Sequence, residues 1–472
     1  MHVTEVTPII AFCASGSLMN RIFLALGPAL GATVFFLLSS TGWDAKACWT
    51  AAVAINCAVW WVFEPIPIPV TSLLPFAAFP MFGVLTPNEI GQSYGSSLVL
   101  LLLGGFILST AMASSGAHRR VALTMVNLFG GSSSKRLVFG FMAASAFLSM
   151  WISNTATTLM LLPVALAVIE KAEDRSLAVP LLLGIAYAAS VGGIGTPIGT
   201  PPNLVFREIY EQTTGVEVPF LTWMGWGIPV VIIFVPIIGI YLTRRLSYTG
   251  LVSLPAVGKW ESYEKRVLIV FGLTALAWMT RGEPFGGWKT WLGVPGANDA
   301  SVALISVVIM FLIPNGKGGK LLNWDTASKI PWGMLILFGG GIAIAKAFVA
   351  SGLSSALGDV LSGIATWHIV FMIGALCFAI TFLTELTSNT ATTTLMMPIL
   401  AAAAIAADIE PALLMVPAAM SASCAFMLPV ATAPNVVVYS TGVFPIKTMA
   451  REGVALNMIG VFIVTTTCVL LL

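Results

Sequence analysis

Long apolar runs separated by short polar stretches fill most of the chain. A transmembrane helix needs about 20 apolar residues. Such runs predict full spans near 21–40, 47–63, 67–85, 96–116, 224–243, 266–280, 300–314, 332–351 and 449–472. The short alternating strands of a barrel fit poorly. Four further apolar regions break the pattern. Residues 137–152 are apolar but short, Ser153-Asn154-Thr155 interrupts them, and 156–170 is apolar again. The same layout returns around Ser388-Asn389-Thr390. Each reads as a re-entrant hairpin, 137–170 and 366–407, with a polar tip inside the membrane. Residues 178–209 and 411–442 read as broken helices, interrupted by GGIGTPIGTPPN and LPVATAPN. Such backbone is tolerated at membrane depth only where protein or a water-filled cavity covers it.

Composition agrees with the pattern. The 472 residues are 58% hydrophobic and 9% charged, and mean hydropathy is +0.96. A soluble domain carries about 25% charged residues. The chain is therefore expected to be an all-α polytopic membrane protein, a single integral unit of 1–472. Net charge is +2 with no long basic run, so nucleic acid is not an expected partner. Six scattered cysteines without CxxC spacing argue against a disulfide framework or a zinc site. Residues 21–40 read as a first span rather than a signal peptide. With the N-terminus cytoplasmic, the C-terminus outside and both hairpins returning to their own side, 17 Lys and Arg fall inside and 4 outside. The positive-inside rule supports that layout of about 11 spans plus two hairpins.

The two halves repeat. Adding 235 to Phe147, Ser153 and Pro163 gives Phe382, Ser388 and Pro398; adding 232 to Pro197, Thr200, Pro202 and Asn203 gives Pro429, Thr432, Pro434 and Asn435. Repeat cores are expected at 96–246 and 331–472, the remaining spans forming a scaffold. An odd number of crossings separates corresponding elements, so the repeats are inverted. Inverted repeats with discontinuous helices point to a secondary transporter whose site lies at their interface.

The polar residues suit that reading. Ser, Asn and Thr cap helices well, and a helix start offers unpaired N–H groups and a dipole end that favours an anion. The hairpin arm ending before each triplet leaves carbonyls for a cation, as do the breaks at Gly199 and Ala431. Neutral hydroxyl and amide oxygens suit Na+. A cap or an interhelical hydrogen bond accounts for one triplet; two copies, each followed by a broken helix, point to a binding site. Thr157, Thr158, Thr392, Thr393 and Thr394 read as packing residues. Glu385, where the first half has Met150, is expected to pair with Lys346, support a cation site or carry a proton. Glu64 reads as a structural residue at a span end. His2, His118 and His368 lie outside the tips and breaks, against a histidine relay. Without HExxH, paired histidines or an acidic pair in the breaks, a membrane enzyme is disfavoured; a channel is the other alternative.

The triplets, GTPPN, ASCAFMLPVATAPNVVV (422–438) and EPIPIPVTSLLP (64–75) resemble the divalent anion/sodium symporter family. The resemblance implies a homodimer, with hairpins and broken helices moving as an elevator; short loops and a short N-terminus point to a prokaryotic plasma membrane. It places one Na+ site on Ser149, Ser153, Asn154 and Gly199, and a second on Thr384, Thr387, Asn389 and Ala431. It places substrate carboxylates on Ser153, Asn154, Thr155, Ser388, Asn389 and Thr390, with Thr200 and Thr432 nearby. The expected function is Na+-driven import of C4-dicarboxylates such as succinate, malate or fumarate. The alternatives are Na+-independent exchange, or citrate or sulfate transport on the same fold.

Overall fold

A computed structural model describes residues 7–129, 133–172, 175–246, 258–282, 285–354, 356 and 368–472. Positions 366 and 367 of the expected second hairpin lie outside the described residues. Among the described residues, regular structure is helical apart from one isolated bridge, Pro314 with Lys320. In chain order the helices are α1 (Thr7–Ser40), α2 (Ala45–Phe63), α3 (Ile68–Thr71), α4 (Leu74–Met81), α5 (Pro87–Tyr94), α6 (Ser97–Ser115), α7 (Ala117–Phe129), α8 (Ser134–Ser149), α9 (Asn154–Lys171), α10 (Ala178–Gly192), α11 (Pro201–Thr214) and α12 (Phe220–Thr243). They continue as α13 (Ser262–Met279), α14 (Gly287–Trp291), α15 (Asp299–Leu312), α16 (Trp324–Ala327), α17 (Trp332–Ala350), α18 (Ile369–Leu383), α19 (Asn389–Ala406), α20 (Ala412–Ser421), α21 (Ala433–Tyr439) and α22 (Ile446–Leu471).

Eight helical stretches among the described residues are long and apolar enough to cross a bilayer; α10 and α19 are among them. The span expected at 67–85 is two short helices. The chain turns at Ser72 and Leu73, and α4 restarts with Pro75 in its first turn, where the missing N–H costs nothing. Helix α7 was not anticipated. It buries Ala122, Leu123 and Val126 while Arg119, Thr124 and Asn127 stay exposed, an amphipathic helix too polar to read as a span.

Packing brings the tips and breaks together. Helix α10 is buried along almost its whole length, lying on α8, α9 and α12. The second arm of each hairpin meets a broken limb from the other half: α9 lies on α21, and α19 lies on α11. Ion pairs fasten helix ends: Arg120 to Glu264 at 2.5 Å and Arg244 to Glu452 at 2.6 Å. A buried cluster ties α11 to α15. Asp299 receives Arg207 Nη2 and Arg281 Nε, each at 2.8 Å, and Arg281 also pairs with Glu217.

Candidate functional site

Each triplet sits at a helix start. Ser153 is the N-cap of α9, its hydroxyl accepting the Ala156 N–H at 3.1 Å. Ser388 caps α19 in the same extended backbone conformation, but its hydroxyl makes no such bond. Thr157 N–H reaches Ser153 O and Thr392 N–H reaches Ser388 O, so earlier amides of both helices have no helical partner. Behind the tips the two halves share two bonds. Ser149 Oγ donates to Asn154 Oδ1 at 2.6 Å, and Thr384 Oγ1 donates to Asn389 Oδ1 at 2.7 Å. Thr158 and Thr393 return their hydroxyls to the Asn154 and Asn389 carbonyls at 2.9 and 2.7 Å.

The breaks are clamped in the same paired way. Asn203 Nδ2 donates to Gly193 O at 2.9 Å and Thr196 O at 2.7 Å; Asn435 Nδ2 donates to Ala425 O and Leu428 O, each at 3.0 Å. These carbonyls would otherwise be orphaned where the helix stops. In the first half the tip closely approaches the break. A Cβ placed on Gly193 would lie 2.8 Å from Asn154 Oδ1 and 3.1 Å from Gly199 O, so carboxamide and carbonyl converge on that glycine. The corresponding residues of the second half are Ala425 and Ala431.

Glu385 does not pair with Lys346. Its Oε1 accepts the Phe426 and Met427 N–H groups at 2.7 and 2.9 Å and Asn457 Nδ2 at 2.7 Å, and Oε2 accepts the Leu428 N–H at 3.0 Å. Those amides are the start of the second break, so the carboxylate holds its backbone open. Asn457 and the Tyr187 hydroxyl, which donates to Phe426 O at 2.7 Å, complete the support. Sequence reading missed both. Each bonds the Phe426 backbone, and a backbone partner leaves no trace in residue identity.

Tips and breaks face one cavity of about 670 Å³. Ser153, Asn154, Thr155, Thr200, Ser388, Asn389, Thr390 and Thr432 all line it, as do Gly199, Thr387 and Ala431. Ser149 and Thr384 do not; they are fully buried behind the asparagines. The Thr387 hydroxyl bonds Leu383 O at 2.9 Å and Thr392 Oγ1 at 2.6 Å, pointing it back into its own hairpin. Sequence reading also left out Phe106, Trp151 and Met334, apolar walls of the same cavity, and Glu64. No lysine or arginine among the described residues lines it.

A helical membrane protein with two polar tips and two helix breaks closing on one cavity is a solute transporter. Comparison with known proteins agrees. Residues 58–416 match the citrate transporter family profile. The chain is 38% identical over 466 residues to a sodium-dependent dicarboxylate transporter, SdcS, of Staphylococcus saprophyticus, covering 93% of this chain and 89% of that protein. It is 39% identical over 470 residues to SdcS of Staphylococcus aureus strain USA300, covering 94% and 89%. The chain belongs to the citrate transporter family. Two solved transporters share the fold at 13% identity. Alcanivorax borkumensis YdaH has TM-score 0.56 over 83% of this chain and 87% of its own, and Neisseria gonorrhoeae MtrF has TM-score 0.59 over 83% of each.

Proposed function

We propose that the protein is a Na+-coupled symporter that imports C4-dicarboxylates such as succinate, malate or fumarate. The observation that carries this is the cavity's charge. Helix starts and triplet hydroxyls offer donors to carboxylates, yet among the described residues no cationic side chain lines the wall. A dianion brought there needs neutralising charge, because unpaired charges are costly away from water. Na+ held at the two asparagine–break pairs supplies it. The first site is Ser149, Ser153, Asn154 and Gly199; the second is Thr384, Thr387, Asn389 and Ala431. The substrate carboxylates lie on Ser153, Asn154, Thr155, Ser388, Asn389 and Thr390, with Thr200 and Thr432 beside them. The names of the staphylococcal relatives support the pairing of sodium with dicarboxylate.

Alternating access follows from an elevator in a homodimer. The hairpins α8–α9 and α18–α19 and the broken helices α10–α11 and α20–α21 move together within inverted repeat cores at 96–246 and 331–472. The N-terminus is cytoplasmic and the C-terminus outside. Uptake of labelled succinate into proteoliposomes under an inward Na+ gradient is the test. Uptake that ignores the gradient, but is driven by dicarboxylate loaded inside, would replace symport with exchange.

A further inference from the structure

We propose that Glu64 sets the charge of the substrate the cavity accepts, admitting dicarboxylates and turning away tricarboxylates. The inference rests on the anion-binding reading above. Among the described residues Glu64 is the one charged side chain lining the cavity. It sits in the turn between α2 and α3, among the residues that line the cavity with the two triplets, and is exposed. Its carboxylate makes no hydrogen bond or ion pair with any described residue; only its backbone N–H is engaged, to Trp60 O at 3.0 Å.

The backbone carries the second observation. Glu64 has φ 47 and ψ 45, the left-handed region. Glycine or asparagine takes that conformation at less cost. Either would close α2 equally well, since the cap bond uses the backbone alone. What glutamate adds is a carboxylate in the cavity, held there despite the strain, and strain of this kind gathers at functional sites. With no lysine or arginine on the wall among the described residues, Glu64 repels each additional negative charge on the solute. Through a partly wet cavity one extra charge changes affinity by about tenfold.

The test uses the full chain in proteoliposomes. Labelled succinate uptake is competed with unlabelled succinate and with tricarballylate at about pH 8, where their carboxyls are ionised. The readout is the ratio of the two inhibition constants. Glu64→Gln is expected to shift it about tenfold in favour of tricarballylate, and Glu64→Asp to leave it in place. Glu64→Asn removes the charge while suiting the left-handed backbone, so it keeps the test open if the Gln variant folds poorly. A ratio unchanged in both neutral variants overturns the proposal, because a role confined to the turn moves both constants together. Wild-type protein without succinate uptake would sink the transport reading instead. The charge ratio is then read from ligand-induced thermal stabilisation.

Discussion

Asn154 and Ser149 are joined by a 2.6 Å hydrogen bond that bridges the two arms of the first hairpin at its tip. The bond spends one lone pair of the carboxamide oxygen and aims the rest of the group toward the break. Replacing Asn154 by Ala removes that anchor, and Asn389→Ala does the same at the 2.7 Å bond from Thr384. Each variant is expected to lose succinate uptake by more than about tenfold, with the protein still monodisperse after purification. Near-normal uptake by either would remove that tip from the site.

Gly193 is where carboxamide and carbonyl converge. In Gly193→Ala the new methyl would meet Asn154 Oδ1 at 2.8 Å and Gly199 O at 3.1 Å, and it has no room to retreat in a helix break packed on all sides. The half-saturating Na+ concentration for uptake should rise by about tenfold or more. The reciprocal change in the second half, Ala425→Gly, adds no bulk and should cost less than about 1 kcal/mol of stability. Equal Na+ dependence in Gly193→Ala and wild type would clear the first cation site of this residue.

Glu385→Gln keeps the shape of the side chain and discards two things, the charge and one acceptor. Three backbone N–H groups and Asn457 Nδ2 converge on the carboxylate, so an amide would turn its own NH2 toward at least one donor. Stability should fall by about 2–3 kcal/mol, measured by thermal unfolding in detergent, and uptake should fall with it. A variant of wild-type stability that loses only its Na+ response would mean that Glu385 acts on the ion and not on the backbone.

Asp299 neutralises two arginines beneath the end of α11. Asp299→Asn leaves Arg207 and Arg281 close together in a buried setting, with Glu217 as their remaining ion-pair partner. Losing one partner of a buried pair costs about 3–5 kcal/mol, and thermal unfolding should register it. A shift below about 1 kcal/mol would show that water reaches the cluster.

What the sequence revealed and what it hid divide along a physical line. The triplets and breaks were legible because polar residues amid apolar runs are expensive unless sheltered, so their positions stand out. Repetition at fixed offsets then joined them: Ser149 with Thr384 and Asn203 with Asn435 occupy equivalent places and make equivalent bonds. Glu385 was visible as a charge but not in its role, because three of its four donors are backbone amides that every residue carries. The sequence suggested Lys346 because charge seeks charge in the membrane. Helix α7 was hidden for a different reason. Its apolar face is one stripe of a short segment bearing two adjacent arginines, below what a span search registers. The kink at Ser72 was masked by the evenly apolar composition on either side.

The crossed seating of the hairpin arms, α9 on α21 and α19 on α11, means that neither half owns a finished substrate cavity. Each tip leans on a limb supplied by the other copy, as two hands clasp rather than press palm to palm. A polypeptide severed between the halves would yield two fragments, each with a loose tip and a bare limb. Only their reassembly would restore the cavity. A substitution at one tip thus bears on the opposite limb as well as on its own break.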